Sequence, residues 1–301
     1  MRALLLPLLV ALTARGVRAQ ASVASELWRV AEGTLIVPAA LADDGTGAFW
    51  TPAVSLAPDE RYRMGLEAVY APTEIGVSGG LFGFSVRAGS LGTVNLTYGR
   101  LGIGSVGYTE TSPEIVGGSA VEIYNQTASI GLAGHIGRGL TGGLALRYLS
   151  GRMGFESHEQ VGVDFGAQYV FSPRVRVGAS TRFLDPTFGD NTDATTYSLG
   201  AEARSRTLDA WGTPATVVVR AGLQASGTDE HSQLLTAGFT FGGVLAVDAG
   251  AAHESTPADE VWRTRLGVGF SARQFAARIA RDGGVNGFGA TYRFSLTATF
   301  R

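Results

Sequence analysis

From residue 61 to its end the chain alternates large apolar residues with small or polar ones, segment after segment. Within 161–171 one face reads Val161, Val163, Phe165, Ala167, Tyr169 and Phe171, and the other Gly162, Asp164, Gly166, Gln168 and Val170. Successive side chains of a strand point to opposite faces, so the pattern writes a ribbon with one apolar face and one small, polar face. It recurs at 175–183, 217–223 and 288–300. Fourteen such segments are predicted, over 61–71, 79–88, 90–109, 120–136, 139–152, 158–171, 174–184, 194–206, 214–226, 230–241, 243–254, 260–272, 274–283 and 287–300. Most reach the ~9–11 residues that a tilted strand needs to cross a bilayer.

The links between segments sort by length. Short ones fall near Gly89, 137–139, Ser172-Pro173, Gly242-Gly243 and Arg273; longer polar ones fall at 72–78, 110–119, 153–157, 185–193, 227–229 and 255–259, with 207–213 out of sequence on the short side. An up-and-down barrel in an outer membrane has this layout, with tight turns at the periplasmic rim and longer loops outside. A soluble sandwich has no reason to sort its links. An even strand number also predicts both termini on the periplasmic side.

The polar face fixes which side meets lipid. It carries Arg63, Arg147, Arg174, Arg176, Arg182, Arg220, Arg263, Arg265, Arg278 and Arg293, together with Glu67, Asp164, Glu202 and Asp248. Fourteen strands enclose more space than one layer of side chains fills, so the charged face lines the lumen and the apolar face meets lipid. An arginine on the lipid face costs ~2–4 kcal/mol at the bilayer midplane. Composition agrees: 43 glycines in 301 residues is about twice the usual share, and charged residues, at 17%, fall below the usual ~25%. The predicted fold is an all-β, transmembrane, antiparallel up-and-down barrel of about 14 strands with a short amino-terminal plug, in contact with outer-membrane lipid.

The first residues read as an export leader. Arg2 precedes the apolar run 3–12, and small residues follow, with cleavage predicted after Ala19 or Ala21. Removing 1–19 takes away Arg2, Arg15 and Arg18 and no acid, which moves the formal net charge from −2 to −5. That balance excludes a nucleic-acid partner of the usual basic kind. Residues 20–60 do not alternate. They hold Leu27, Trp28, Leu35, Phe49 and Trp50, too many large apolar side chains for a solvated tail, and are predicted to fold back into the lumen ahead of a barrel over 61–301.

The stretch Ala42-Asp43-Asp44 followed by Ala48-Phe49-Trp50-Thr51-Pro52-Ala53 resembles the A-D-D-A-S-A-x-F-W-N-P-A motif near the start of FadL-type fatty-acid transporters and the related PorV/PorQ-type barrels. Residues 143–150, 162–169 and 176–185 resemble the PorV-type run that ends in R-V-G-x-S-x-R-x-L. Thr51 stands where the family has Asn, and Val54 where it usually has Gly. The resemblance implies a 14-stranded barrel with an amino-terminal plug around Asp43, Asp44 and 49–53. Its FadL branch implies passive diffusion of small hydrophobic compounds. Its PorV branch implies a non-transporting barrel that docks or shuttles secreted or surface proteins.

Candidate chemistry is sparse. The chain has no cysteine and no lysine, which excludes disulfides, thiolate sites and Schiff-base or P-loop lysines. Gly76-Val77-Ser78-Gly79-Gly80 matches the G-x-S-x-G elbow and 102–107 matches G-x-G-x-x-G, but neither is followed by the helix its chemistry needs. His135, His158, His231 and His253 lack ligand spacing, with His135 assigned to the lumen, and the acidic stretch 185–193 reads as a solvated loop. No catalytic residue, metal or cofactor is expected. The lumenal arginines carry two readings: a lining that selects solutes, or braces paired with acids across neighbouring strands.

Overall fold

The computed structural model describes residues 23–72, 76–106, 121–153, 156–184, 195–210, 212–226, 230–255, 260–284 and 289–301. The predicted leader and the 185–193 loop lie outside them. The described strands are β1 Tyr62–Ala71, β2 Val77–Arg87, β3 Thr93–Val106, β4 Val121–Gly137, β5 Leu140–Met153, β6 Glu156–Ser172, β7 Val175–Leu184, β8 Thr196–Arg204, β9 Leu208–Ala210, β10 Thr213–Ser226, β11 His231–Phe241, β12 Leu245–Ser255, β13 Glu260–Ala272, β14 Phe275–Asp282 and β15 Thr291–Phe300. Every neighbouring pair is antiparallel. β10 pairs with β11 and β15 returns to β1, so fourteen long strands close into a barrel. All fourteen coincide with predicted segments. The extra strand, β9, pairs only with the start of β10 and sits in the 207–213 link.

The strands end where turn chemistry stops them. Gly139, Gly242, Gly243 and Arg273 take positive φ in the short links, the region the tightest hairpin turns require. One link departs from the predicted sorting. β5 and β6 stay in register from Leu140↔Tyr169 to Met153↔Glu156, which leaves only residues 154 and 155 between them, so the longer loop predicted at 153–157 is absorbed into the strands.

Burial alternates with a period of two along each strand. On β1, Glu67, Val69 and Ala71 are buried while Leu66 and Tyr70 face outward. Outward apolar residues include Leu66 at 57% exposure, Leu223 at 54% and Leu235 at 60%, far too exposed for a protein solvated by water on that face. Outward aromatics pack together near the short-link rim, where Tyr62 stacks on Phe300 and Tyr169 meets Phe171 edge-on. They form part of a girdle of the kind found at a membrane interface.

The core lies inside the ring. Helix α1, Val23–Gly33, packs in the half of the lumen beneath the longer links, against β3, β4, β5 and β15. The chain then descends through the single-turn 3-10 helix Ala39–Leu41, turns at Asp43, rises to the short helix α2, Gly47–Trp50, and descends again to enter β1. Leu27, Trp28, Leu41, Phe49, Trp50, Val54 and Leu56 are all at least 97% buried. Arg301 ends the chain at the opposite rim from α1. The expectation that both chain ends share one rim thus turns, for the amino terminus, on residues outside the described ones.

Candidate functional site

The lumen is where charge, aromatic rings and the folded-in segment converge. Trp28, Phe49 and Trp50 form its centre, with ring centroids 4.8 Å apart for Trp28–Phe49 and 4.9 Å for Phe49–Trp50. Trp28 Nε1 donates to Asn125 Oδ1 at 2.7 Å, which satisfies the indole where it is buried against β4. Among the described residues Trp50 Nε1 has no hydrogen-bond partner, but its ring lies under the guanidinium carbons of Arg182 and Arg293 at 5.0 and 5.5 Å.

Arg147 shows how the wall holds this core. It is 1% exposed, and its Nε donates to Asp164 Oδ2 at 2.6 Å. Its Nη2 donates to the Phe49 carbonyl at 2.8 Å, and its guanidinium lies 4.7 Å from the Phe49 ring centroid and 5.1 Å from that of Phe183. A β-bulge makes this possible. The register steps from Phe165↔Thr181 to Val163↔Leu184, so Arg182 and Phe183 together oppose Asp164. Phe183 takes φ 59° and its N–H donates to Asp164 Oδ1 at 2.8 Å. Two consecutive residues of β7 therefore face the lumen, and Phe183 sits between Arg147 and Arg182.

The other predicted lumenal residues fall into the same network. Arg182 donates to Glu32 of α1, which Gln224 also contacts at 2.9 Å. Arg265 pairs with Asp282 at 3.0 Å and donates to the Leu35 carbonyl at 2.9 Å. Arg293 pairs with Glu67 at 2.5 Å and lies 3.9 Å from Asp44. Arg176 binds Glu202 with two nitrogens, at 2.9 and 3.2 Å, and Asp43 at 2.6 Å. Arg63 donates to the Asp43 carbonyl at 2.5 Å. Arg220 bridges Glu202 and Asp248, both at 2.8 Å, and Arg278 reaches Asp248 at 3.8 Å. Six of these wall arginines, Arg63, Arg147, Arg176, Arg182, Arg265 and Arg293, thus contact the amino-terminal segment. This is the bracing arrangement, extended from strand–strand pairs to the folded-in chain. Arg174 is the exception among the predicted inward residues: it lies exposed in the β6–β7 turn.

The 49–53 stretch sits directly on strand backbone. A Cβ on Gly143 would stand 2.0 Å from the Pro52 carbonyl oxygen, and one on Gly166 would stand 2.6 Å from Thr51 Oγ1. Thr51 is fully buried and its N–H bonds the Gly47 carbonyl, ending α2. Val54 is buried, and its carbonyl accepts from Asn95 Nδ2 at 3.0 Å. Across β7, β8 and β10, the in-register row Gly178, Gly200 and Gly222 accepts Pro38, Ala40 and Leu41.

Residues that sequence reasoning passed over matter as much. Glu32 and Arg29 sit in α1, where Arg29 pairs with Glu230 and with Glu254. Asp282 receives Arg263 and Arg265. Strand parity from Arg278 and Ala280 places Asp282 inward; Glu32 is one of two carboxylates in its helix, with Glu26, and no strand parity marks it. Ser78 lies outward on β2, with no helix behind it to form a nucleophile elbow. His135 keeps lumenal parity but is exposed near the β4–β5 turn, and His253 faces outward beside Trp262. Among the described residues, no group of three or more His, Asp or Glu is placed to hold a metal ion. A concavity of about 790 Å³ also lies outside the lumen, on the outward face of β6 to β13 around Ala179, Ala201 and Ala221.

No family model matches the chain, and no curated protein matches it. Solved structures do. The CymD monoaromatic hydrocarbon channel aligns with a TM-score of 0.54 at 11% identity, over 90% of this chain and 97% of its own. A TodX deltaS2S3 mutant monoaromatic hydrocarbon channel gives 0.54 at 10%, over 90% and 98%. The Ralstonia pickettii toluene transporter TbuX gives 0.50 at 12%, over 85% and 94%. The chain spans 60% of the length of CdiB from Acinetobacter baumannii, at a TM-score of 0.46 and 11% identity. At these identities the likeness is one of fold: the chain has the architecture of an outer-membrane β-barrel.

Proposed function

We propose that the chain is a passive outer-membrane channel for small hydrophobic compounds, closed by residues 20–60 acting as a plug. In this reading the short links and Arg301 face the periplasm and the longer links face outward. The observation that carries it is the filled lumen. An aromatic core of Trp28, Phe49 and Trp50 blocks the middle of the barrel, and six wall arginines clamp the segment that supplies it. The arginines are committed to carboxylates and plug carbonyls, which leaves little free charge to select ions. Three neighbours of the same fold are monoaromatic hydrocarbon channels or a toluene transporter, and this supports the solute class. No residue is assigned a catalytic role and no cofactor is required.

Locking the plug tests the reading. A Cβ on Gly267 would stand 3.0 Å from Ile36 Cγ1, close to the separation between a Cβ and the far sulfur of a disulfide. The chain has no cysteine of its own, so Ile36→Cys with Gly267→Cys gives a single reversible cross-link. Proteoliposome uptake of a monoaromatic hydrocarbon should be lost on oxidation and return on reduction. Equal uptake in both states would refute gating by the plug, and no uptake by the wild type would refute the solute class.

A second reading, the non-transporting barrel that docks secreted or surface proteins, is favoured by the same filled lumen, in which Phe49 and Trp50 are fully buried and, among the described residues, no path for a solute stands open while the segment is in place. Co-purification of one defined surface or secreted protein, with no solute flux, would put it ahead.

A further inference from the structure

The amino-terminal segment is packed unevenly. Toward β1, β2 and β3 its contact is dry: Leu27, Trp28 and Phe49 belong to one apolar cluster with Val69, Leu81 and Leu101. Toward the opposite wall, apolar contacts at the Gly178, Gly200 and Gly222 row are interspersed with charged and hydroxyl side chains, and three small cavities of mixed polar and apolar lining lie along that contact. The one nearest the longer links, about 20 Å³, is bordered by Arg29, Glu230, Glu254 and Arg263. The middle one, about 30 Å³, is bordered by Glu32, Ser198, Gln224 and Ser232. The third, about 40 Å³, is bordered by Asp43, Asp44, Arg278 and Arg293 near the other rim. Neighbouring cavities share walls. Gln224, Ser232 and Arg265 border the first two, and Leu35 and Val37 border the second and third.

Among the described residues, some of the buried polar atoms without a hydrogen-bond partner belong to residues that border these cavities, Glu32 Oε1, Ser198 Oγ, Arg263 Nε and Arg293 Nη1, while others, such as those of Asn125, Gln160 and Arg182, lie elsewhere in the lumen. A buried donor or acceptor left unpaired costs about 1–3 kcal/mol, more when charged. A polar cavity of about 10–15 Å³ holds a water, so each of the three has room for at least one. We propose that a file of water follows this seam from rim to rim, and that the barrel conducts water while the plug is in place. The lining alternates carboxylates with guanidiniums, so an ion of either sign meets like charge along the way, whereas a neutral dipole is accepted throughout. The inference goes beyond the hydrophobic-solute reading and does not require the plug to move.

The test is osmotic swelling of liposomes that carry the full-length protein, followed by light scattering, beside current through the same protein in a planar bilayer. Swelling faster than in protein-free liposomes, without steady current, is the expected result. It should persist in the oxidised Ile36→Cys/Gly267→Cys barrel, so loss of hydrocarbon uptake and loss of water flow are read separately. Ser232→Phe fills the middle cavity and should abolish the excess swelling, while Gln233→Phe, its outward neighbour, should not. Because Ser232→Phe also changes the packing around the cavity, a second measurement uses single cysteines and hydrogen peroxide, a neutral probe close to water in size. Ser232→Cys should oxidise to sulfenic acid much faster than Thr97→Cys on the opposite wall. Swelling no faster than in protein-free liposomes, or equal oxidation at both sites, overturns the proposal. Swelling accompanied by steady current replaces it with an open pore.

Discussion

The Glu32–Arg182 pair is the sharpest handle on the plug, because one partner belongs to the plug and the other to the wall. Their side chains are 7% and 1% exposed, so solvent screens the pair very little. Among the described residues Arg182 has no other acceptor: its Nε and Nη1 are buried without partners there, and its remaining support is the faces of Trp50 and Phe183. Glu32→Leu would strand that guanidinium in the lumen. Removing one partner of a buried ion pair costs about 3–5 kcal/mol, because the other charge stays behind uncompensated. The cost falls on the plugged state alone, since a displaced plug lets water reach Arg182. At about 1.4 kcal/mol per factor of ten, the displaced population should rise by roughly two to three and a half orders of magnitude. Adding Arg182→Met removes the stranded charge and should return most of the closure, as apolar replacement of a buried pair is often neutral. The assay is open probability in planar bilayers together with hydrocarbon uptake, for wild type, single and double variants. A single variant as closed as wild type, or a double variant as open as the single, would refute the view that this pair holds the plug.

Other expectations follow from the same packing. Arg147→Met should lower stability in a denaturant titration of the folded barrel by about 3–5 kcal/mol, and adding Asp164→Leu should recover much of it, although the Phe183 N–H then loses its acceptor. Gly178→Ala places a Cβ 2.5 Å from the Ala40 carbonyl oxygen and should cost about 1–3 kcal/mol in the same titration, while Ala179→Val, facing outward, should cost little. Leu66→Arg puts a charge on the outward face of β1 and should cost about 2–4 kcal/mol in folding into vesicles if Leu66 lies near the bilayer midplane.

The strands were legible because their signal is local. Alternation over ten residues fixes which face is apolar, and a run such as 161–171 carries that information without reference to any other part of the chain. The tight turns were legible for the same reason, from glycines such as Gly139 and Gly242. The departures have local causes as well. The 153–157 link failed because β5 and β6 go on pairing through polar residues, and backbone hydrogen bonding does not require an apolar face. The bulge at Phe183 was hidden because it breaks the very period used to read the strand.

The arginines mark where local reasoning stops. Parity says that Arg147, Arg182 and Arg265 point inward, but inward in a fourteen-stranded barrel can mean toward water or toward another part of the chain. The difference lies in contacts between residues 98, 150 and 230 apart in sequence: Arg147 to Phe49, Arg182 to Glu32 and Arg265 to Leu35. A buried guanidinium needs acceptors for its donors and a counter-charge, and the wall acids Asp164 and Asp282 supply only part of them. The remaining acceptors are plug carbonyls and one plug carboxylate. The inward charge that would suit an open pore therefore also ties the plug to the wall. Its removal should loosen that closure before it changes the selectivity of any pore.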